Sequence, residues 1–314
     1  AGAQQITLRS TTDIAVLRPA IAAFVRENPD IAVHYEQWGS NDLYQMSQRD
    51  CAVDQSGADA LLSSGVHQMV DLVNAHCASS YRSALTQALP SARIWRDELW
   101  GVTREAAVMV YNTALLPEAD VPRSRFELLD LMRRDDPAYL GKIATYDIEA
   151  SGLGYLFAFS DSLEASTFGA LLEGFSRAKA VATCCSANII SGVATGRYLI
   201  AYNVLGSYAS TVDFENLGIV HPTDYTLYLS RAYLIPRSAR NKPEAARLLD
   251  FLLSARGQQI LFANGLVSAP IGQGGSQGAS SDRGIGIDPT LLIALDQQRR
   301  NRFIAQWRNA FQAP

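Results

Sequence analysis

Apolar and polar residues alternate through Gln5–Arg9, and the spacing then changes to a helical one at Ile14, Leu17, Ile21, Phe24 and Val25. This predicts a strand, a polar loop Ser10-Thr11-Thr12-Asp13 and a helix. Pro19 predicts that the regular helix starts late, near Val16 to Arg18, because proline is tolerated only in a first turn. Asn28-Pro29-Asp30 stops it, and Ile31–Tyr35 reads as the second strand. Ala58–Leu62 is a short buried-strand pattern, followed by Ser63-Ser64-Gly65 and a helix marked by Met69, Leu72 and Val73.

The alternation continues. Val108–Asn112 is an apolar run, and Phe126–Met132 has a helical pattern. Gly141–Tyr146 is a strand that turns through Asp147–Gly154 into the helical stretch Tyr155–Phe159. Tyr198–Tyr202 and Leu217–Val220 read as buried strands, and Tyr225–Ile235 as one long strand. Lys242–Leu253 is an amphipathic helix with Leu248, Leu249, Leu252 and Leu253 inward. Gly272–Gly286 is rich in Gly and Ser and reads as a surface excursion. Pro289–Phe311 returns to helix, with Arg299, Arg300 and Arg302 on a solvated face. Strands alternating with helices predict an α/β chain with a mostly parallel sheet covered on both faces.

The length of 314 residues is about twice the ~150 that usually fill one domain, so two bodies are expected. With 48% hydrophobic and 18% charged residues the usage is that of a folded chain with a large core. Lys and Arg total 27 against 31 Asp and Glu, for a net charge of −4, so no basic field exists to follow a phosphate backbone and nucleic-acid binding is not expected. No uninterrupted apolar stretch approaches the ~18 to 20 residues that cross a bilayer.

The start, Ala1-Gly2-Ala3-Gln4-Gln5, is how a chain looks after a signal peptide has been cut behind small residues, and it predicts export. In an oxidising compartment Cys51 and Cys77 form a disulfide; otherwise they are two buried thiols. The adjacency of Cys184 and Cys185 weighs against a bond, because disulfides normally join Cα atoms farther apart than neighbours. Neither pair has the spacing of a zinc site, and His34, His67, His76 and His221 show no paired ligand spacing.

The order of several short motifs is similar to that of the type II periplasmic solute-binding proteins of ABC importers, in the branch of ferric-ion binders and phosphorylated-sugar or phosphoglycerate binders. The likeness spans nearly the whole chain. It rests on the Ser/Thr loop after the first strand, Phe24-Val-Arg-Glu-Asn-Pro29, Trp100-Gly-Val and Val110-Tyr-Asn112. It continues through Tyr139-Leu-Gly-Lys-Ile143, Ser151-Gly-Leu-Gly154, Ile235-Pro236, Asn241-Lys-Pro-Glu-Ala-Ala246, Phe251-Leu-Leu-Ser254 and Gly257-Gln258. The resemblance implies a two-lobed periplasmic-binding-protein type II fold, each lobe a mostly parallel sheet flanked by helices, joined by two crossover strands. On this chain the crossovers fall at Ala107–Asn112 and Tyr228–Pro236. Residues 1–108 and 229–314 would make the first lobe and 109–228 the second, with the ligand in a cleft between them. It further implies a monomeric periplasmic receptor, without a cofactor, that delivers its solute to an ABC permease.

Ligands of open α/β sheets bind at strand carboxyl ends, where loops feed helix N-termini. Three such loops carry hydroxyls: Ser10-Thr11-Thr12, Ser63-Ser64-Gly65 and Ala150-Ser151-Gly152. Free N–H groups and the helix dipole favour an anion there, although Ser and Thr are also preferred helix caps. Asp13 opposes an anion unless it caps the helix itself. Arg104 lies just ahead of the first crossover, where it either grips an anion or pairs with Glu105; Arg9 is a second candidate of that kind. In the second lobe Thr183–Asn188 and Tyr202–Gly206 read as facing loops, giving Ser186, Asn188, Tyr202 and Asn203 as contacts. The expected ligand is a small anionic organic solute bearing phosphate or carboxylate.

Ferric-ion binders have adjacent tyrosines after this strand, where Gly206-Ser207 stands here with Tyr208 beside it, so iron is the second expectation and no metal ligand set is assigned. No HExxH, GxGxxG or P-loop string occurs, and Glu98 with Glu105, or Asp135 with Asp136, read as solvated charge, so catalysis is not expected. A sensor that reports to a signalling receptor would use the same binding chemistry.

Overall fold

The computed structural model describes residues 4–211, 214–268 and 281–311. Ala1–Ala3, on which the expectation of a processed start rests, and most of the Gly/Ser-rich excursion lie outside them. Two compact units result, one from Ala1–Glu105, Leu229–Gly275 and Gly284–Leu295, the other from Ala106–Tyr228, Ser276–Arg283 and Asp296–Pro314. The sequence assigned the whole of 229–314 to the first body. Instead the final helix, Gln297–Phe311, packs in the second unit, where Phe303 and Trp307 are buried and Phe303 meets the rings of Tyr155, Phe159 and Phe168. The expected single helix 289–311 is broken at Asp296, after a 3-10 segment Pro289–Leu295 that belongs to the first unit.

The first unit is built on a six-stranded sheet in the order Ile31–Gln37, Gln4–Ser10, Ala60–Ser63, Ala232–Leu234, Leu99–Gly101, Ile94–Trp95. The first three are parallel, with Ile6 opposite Val33 and Leu8 opposite Ala60; the last three pair antiparallel. Ile6, Leu8, Leu62, Met69, Val70, Leu248 and Leu249 are fully buried against it, and the rings of Phe24 and Phe251 lie 5.6 Å apart. Helix Ile14–Glu27 begins earlier than Pro19 suggested, because Asp13 caps it by accepting from the amide of Ala15 at 2.8 Å and the proline is carried inside. The disulfide Cys51–Cys77 ties helix Ser40–Ala52 to the end of helix Val66–Asn74.

The second unit holds strands Glu105–Asn112, Ile143–Tyr146, Val181–Thr183 and Ile200–Leu205 in one sheet, with Ile143–Tyr146 parallel to both Val181–Thr183 and Ile200–Leu205. Leu217–Val220 runs antiparallel to Glu105–Asn112. Its core includes Met109, Leu128, Leu129, Met132, Leu171, Phe175 and Ile200. The expected long strand Tyr225–Ile235 is two strands, Thr226–Leu229 and Ala232–Leu234, which join different sheets. Among the described residues no helix is long and apolar enough to cross a membrane.

Candidate functional site

In the first unit three parallel strands end side by side, and each chain turns at once into a helix: Ser10 into Ile14–Glu27, Gln37 into Ser40–Ala52, Ser63 into Val66–Asn74. The loops are knitted together. The Thr11 amide donates to the Leu62 carbonyl at 3.0 Å, the Ser64 amide donates to Thr11 Oγ1 at 2.9 Å, and the two hydroxyls lie 3.1 Å apart. Ser10 Oγ accepts from the Thr12 amide and Ser63 Oγ from the Gly65 amide, both at 3.0 Å. The cap positions of the second and third helices are Gly39 and Gly65, which supply no side-chain cap. Neither cap residue therefore makes a side-chain hydrogen bond to its own first turn, although Gln68 Oε1 lies over Gly65, 2.3 Å from where a Cβ would stand; the hydroxyls of Thr11 and Ser64 adjoin these starts.

This loop cluster stands on a buried ion pair that the sequence reading missed. Arg231 Nε and Nη2 donate to the two carboxylate oxygens of Glu105 at 2.7 and 3.1 Å, and Nη1 donates to Thr12 Oγ1 at 2.9 Å. Thr103 Oγ1 donates to the same carboxylate at 2.7 Å, and both charged side chains are at most 1% exposed. Glu105 is thus a buried partner of Arg231 and not solvated charge. The local signal was a charge, Arg231, inside the apolar run Leu229–Ile235.

Arg104 pairs in backbone fashion with the segment around Val267, and its guanidinium donates to the hydroxyl of Ser268. Arg9 is not an open cation: Glu36 and Asp50 take it at 2.8 and 3.0 Å, and it stacks 5.0 Å from the Trp38 ring.

In the second unit the parallel neighbours Ile143–Tyr146 and Val181–Thr183 end level, Tyr146 opposite Thr183. Helix Gly152–Glu164 follows the first and is capped by Ser151, whose Oγ accepts from the Gly154 amide at 3.0 Å. Gly154 is required here, since a Cβ would fall 2.3 Å from that of Tyr146. Helix Ser186–Ala194 follows the second and has no side-chain cap. Thr183–Asn188 is accordingly not a free loop; Ser186 and Asn188 lie in the first helical turn, Asn188 exposed and Ser186 sharing a 2.5 Å hydrogen bond with the Tyr146 hydroxyl.

Tyr202 and Asn203 also prove to lie within a strand, Ile200–Leu205, with their polar ends turned into a second buried network. Asp161 accepts from Tyr202 and Asn203 at 2.6 Å, Tyr225 at 2.7 Å and Arg125 at 3.0 Å. Arg125 additionally donates to Tyr202 Oη at 2.7 Å and to the Tyr225 carbonyl at 2.6 Å, and lies 3.6 Å from the centre of the Tyr225 ring. Burial, against the pull of Arg125, holds the Tyr202 phenol well above its ordinary pKa, so it is a neutral donor to Asp161.

Cys184 and Cys185 are bonded to one another, contrary to the expectation from their adjacency, and no cysteine of the chain is free. Among the described residues no group of three or more His, Cys, Asp or Glu is arranged to hold a metal ion. The structure therefore gathers Ser10, Thr11, Thr12, Ser63 and Ser64 at one sheet end, and Ser151, Gly152, Ser186 and Asn188 at another. Tyr202, Asn203 and Arg104 have their polar ends engaged within the fold.

A family model described as bacterial extracellular solute-binding protein matches residues 6–267. The substrate-binding protein of an ABC transporter from Agrobacterium tumefaciens is 31% identical and superposes with a TM-score of 0.92 over 99% of this chain and 95% of that one. AfuA from Actinobacillus pleuropneumoniae, a periplasmic binding protein solved with fructose-6-phosphate, has the same fold at 16% identity, TM-score 0.73, over 98% of each chain. Iron-bound HitA from Pseudomonas aeruginosa does so at 19% identity, TM-score 0.72, over 98% of this chain and 99% of its own. No curated protein matches the chain in sequence.

Proposed function

This chain belongs to the bacterial extracellular solute-binding proteins of ABC transporters, and from that premise we propose that its solute is a small organic anion, a phosphorylated sugar or a related phosphoester or carboxylate. The observation behind this reading is the pair of sheet ends at which helices begin without a side-chain cap, at Gly39, Gly65 and Cys185, next to the hydroxyls of Thr11, Ser64 and Ser186. Backbone N–H groups at such positions carry the positive end of the helix dipole and accept an anion without a metal. Asp13, the one carboxylate in the first loop, caps its own helix, which removes the objection it raised. The protein is a receptor that holds this anion and hands it to a permease, with no chemical step on the solute.

Arg231 and Glu105 serve the site indirectly, by fixing Thr12 and with it the loop that carries Thr11. Thermal-shift screening against phosphate esters, carboxylates, neutral sugars and ferric salts tests the reading. A tight anion stabilises by RT ln(1 + [L]/Kd), ~4 kcal/mol at a thousandfold excess over Kd. A shift with ferric salts alone would replace the organic anion by iron, the metal bound in the HitA structure.

A further inference from the structure

Strand Val181–Thr183 passes into helix Ser186–Ala194 through two residues only, Cys184 and Cys185, and these are joined sulfur to sulfur with their Cα atoms 3.7 Å apart. Cys185 sits at the helix cap position with φ at +79°, a conformation that side chains bearing a Cβ seldom adopt. The following residue, Ser186, is hydrogen-bonded to Tyr146, and the amide of Asp147 donates to the Thr183 carbonyl at 2.9 Å, so the bonded pair adjoins the loop that leads to Ser151. A ring closed across one peptide unit restricts the torsions on both sides of it. It thereby sets the direction of the first N–H groups of a helix that has no side-chain cap.

We propose that the Cys184–Cys185 disulfide is a positioning element of the second unit's anion site: it holds the open N-terminus of helix Ser186–Ala194 in its binding geometry, and opening it with a dithiol lowers anion affinity. The inference rests on the anion reading above. Cys185 is exposed, whereas in the other disulfide Cys51 is half-buried and Cys77 is 8% exposed, and thiol–disulfide exchange follows access to the more open sulfur, so the vicinal bond opens first. In that step a thiolate of the dithiol attacks Sγ of Cys185, breaking the Cys184–Cys185 bond and forming a mixed disulfide. The second thiol of the reductant then displaces Cys185. Two electrons and two protons pass from the dithiol to the chain, which ends with two thiols, and the reductant leaves as its cyclic disulfide.

The test uses the unmodified chain and limiting dithiothreitol, with thiols trapped by alkylation and mapped by mass spectrometry. Amide exchange is followed at Ile189, whose hydrogen bond runs back to Cys185, and titrations are made with fructose 6-phosphate and inorganic phosphate. The expected results are alkylation at Cys184 and Cys185 before Cys51 and Cys77, faster exchange at Ile189, and a Kd for the phosphoester raised about tenfold, the worth of one charge-assisted hydrogen bond. The double substitution Cys184→Ser/Cys185→Ser should reproduce the opened state. Alkylation of both cysteines without any reductant would overturn the proposal, as would exchange and affinity unchanged by opening. An oxidised chain that binds neither phosphate probe removes phosphate from the proposed function and leaves the carboxylates of the screen, with which the affinity comparison is then made, while exchange at Ile189 still decides whether the bond orders the helix.

Discussion

Replacing Glu105 by Gln removes one charge from beneath the first loop cluster and changes almost nothing in volume. The carboxylate receives Arg231 through both oxygens, at 2.7 and 3.1 Å, and the Thr103 hydroxyl at 2.7 Å, with the two charged side chains 1% and 0% exposed. At an effective dielectric of about 20, charge centres roughly 4 Å apart attract by about 4 kcal/mol, and breaking a buried pair costs about 3 to 5 kcal/mol because the remaining ion stays desolvated. Gln retains one acceptor for Arg231, so the expected loss is about 3 kcal/mol, at the lower end. The double variant Arg231→Met/Glu105→Leu removes both ions and should recover most of that loss. Urea unfolding followed by tryptophan fluorescence measures it, since Trp38, Trp95 and Trp100 lie in the first unit and only Trp307 in the second. A loss below about 1 kcal/mol for Glu105→Gln, or a double variant as damaged as the sum of the single ones, would refute the assignment of this pair as a coupled buried ion pair.

The Cys51–Cys77 bond closes a loop with a sequence separation of 26, so Cys51→Ser/Cys77→Ser should lose about 3.5 kcal/mol of unfolding free energy; an unchanged urea midpoint would contradict this. Burial pushes the phenols of Tyr81 and Tyr139 up to about 12, aided by hydrogen bonds to Asp250 and Asp120, and burial pushes Tyr155 to the same value. A raised tyrosine is protonated in the folded chain at a pH where the unfolded chain has lost the proton, so this stability is complete below pH 10 and disappears between about pH 10 and 12. Unfolding in that window should coincide with the rise of phenolate absorbance near 295 nm; tyrosines that ionise well before unfolding would show that burial does not hold them.

Much of the frame was legible because its elements bury one face at a regular period. Lys242–Leu253 and Leu217–Val220 run between the residues that the pattern indicated, and the strand–loop–helix order that places Ser10–Thr12 and Ser63–Gly65 is visible in spacing alone. What the pattern misjudged depends on partners distant in the chain. Glu105 and Arg231 are 126 residues apart and Arg125 and Asp161 36 apart, and neither separation leaves a periodic trace. Tyr202 and Asn203 looked like loop contacts because strand Ile200–Leu205 extends beyond its apolar stretch, with polar side chains paid for by the Asp161 network. The final helix could not be assigned to a unit from its own sequence, because its buried face, Phe303, Ile304 and Trp307, is as suited to one core as to another.

The most direct test of anion recognition by helix N-termini is a pair of calorimetric titrations that differ in one group: fructose 6-phosphate, or whichever phosphoester the screen favours, against the same molecule without its phosphate. Several charge-assisted hydrogen bonds at about 1.5 to 3 kcal/mol each should separate the two by at least a hundredfold in Kd. Equal affinities, or tighter binding of the neutral sugar, would contradict the account.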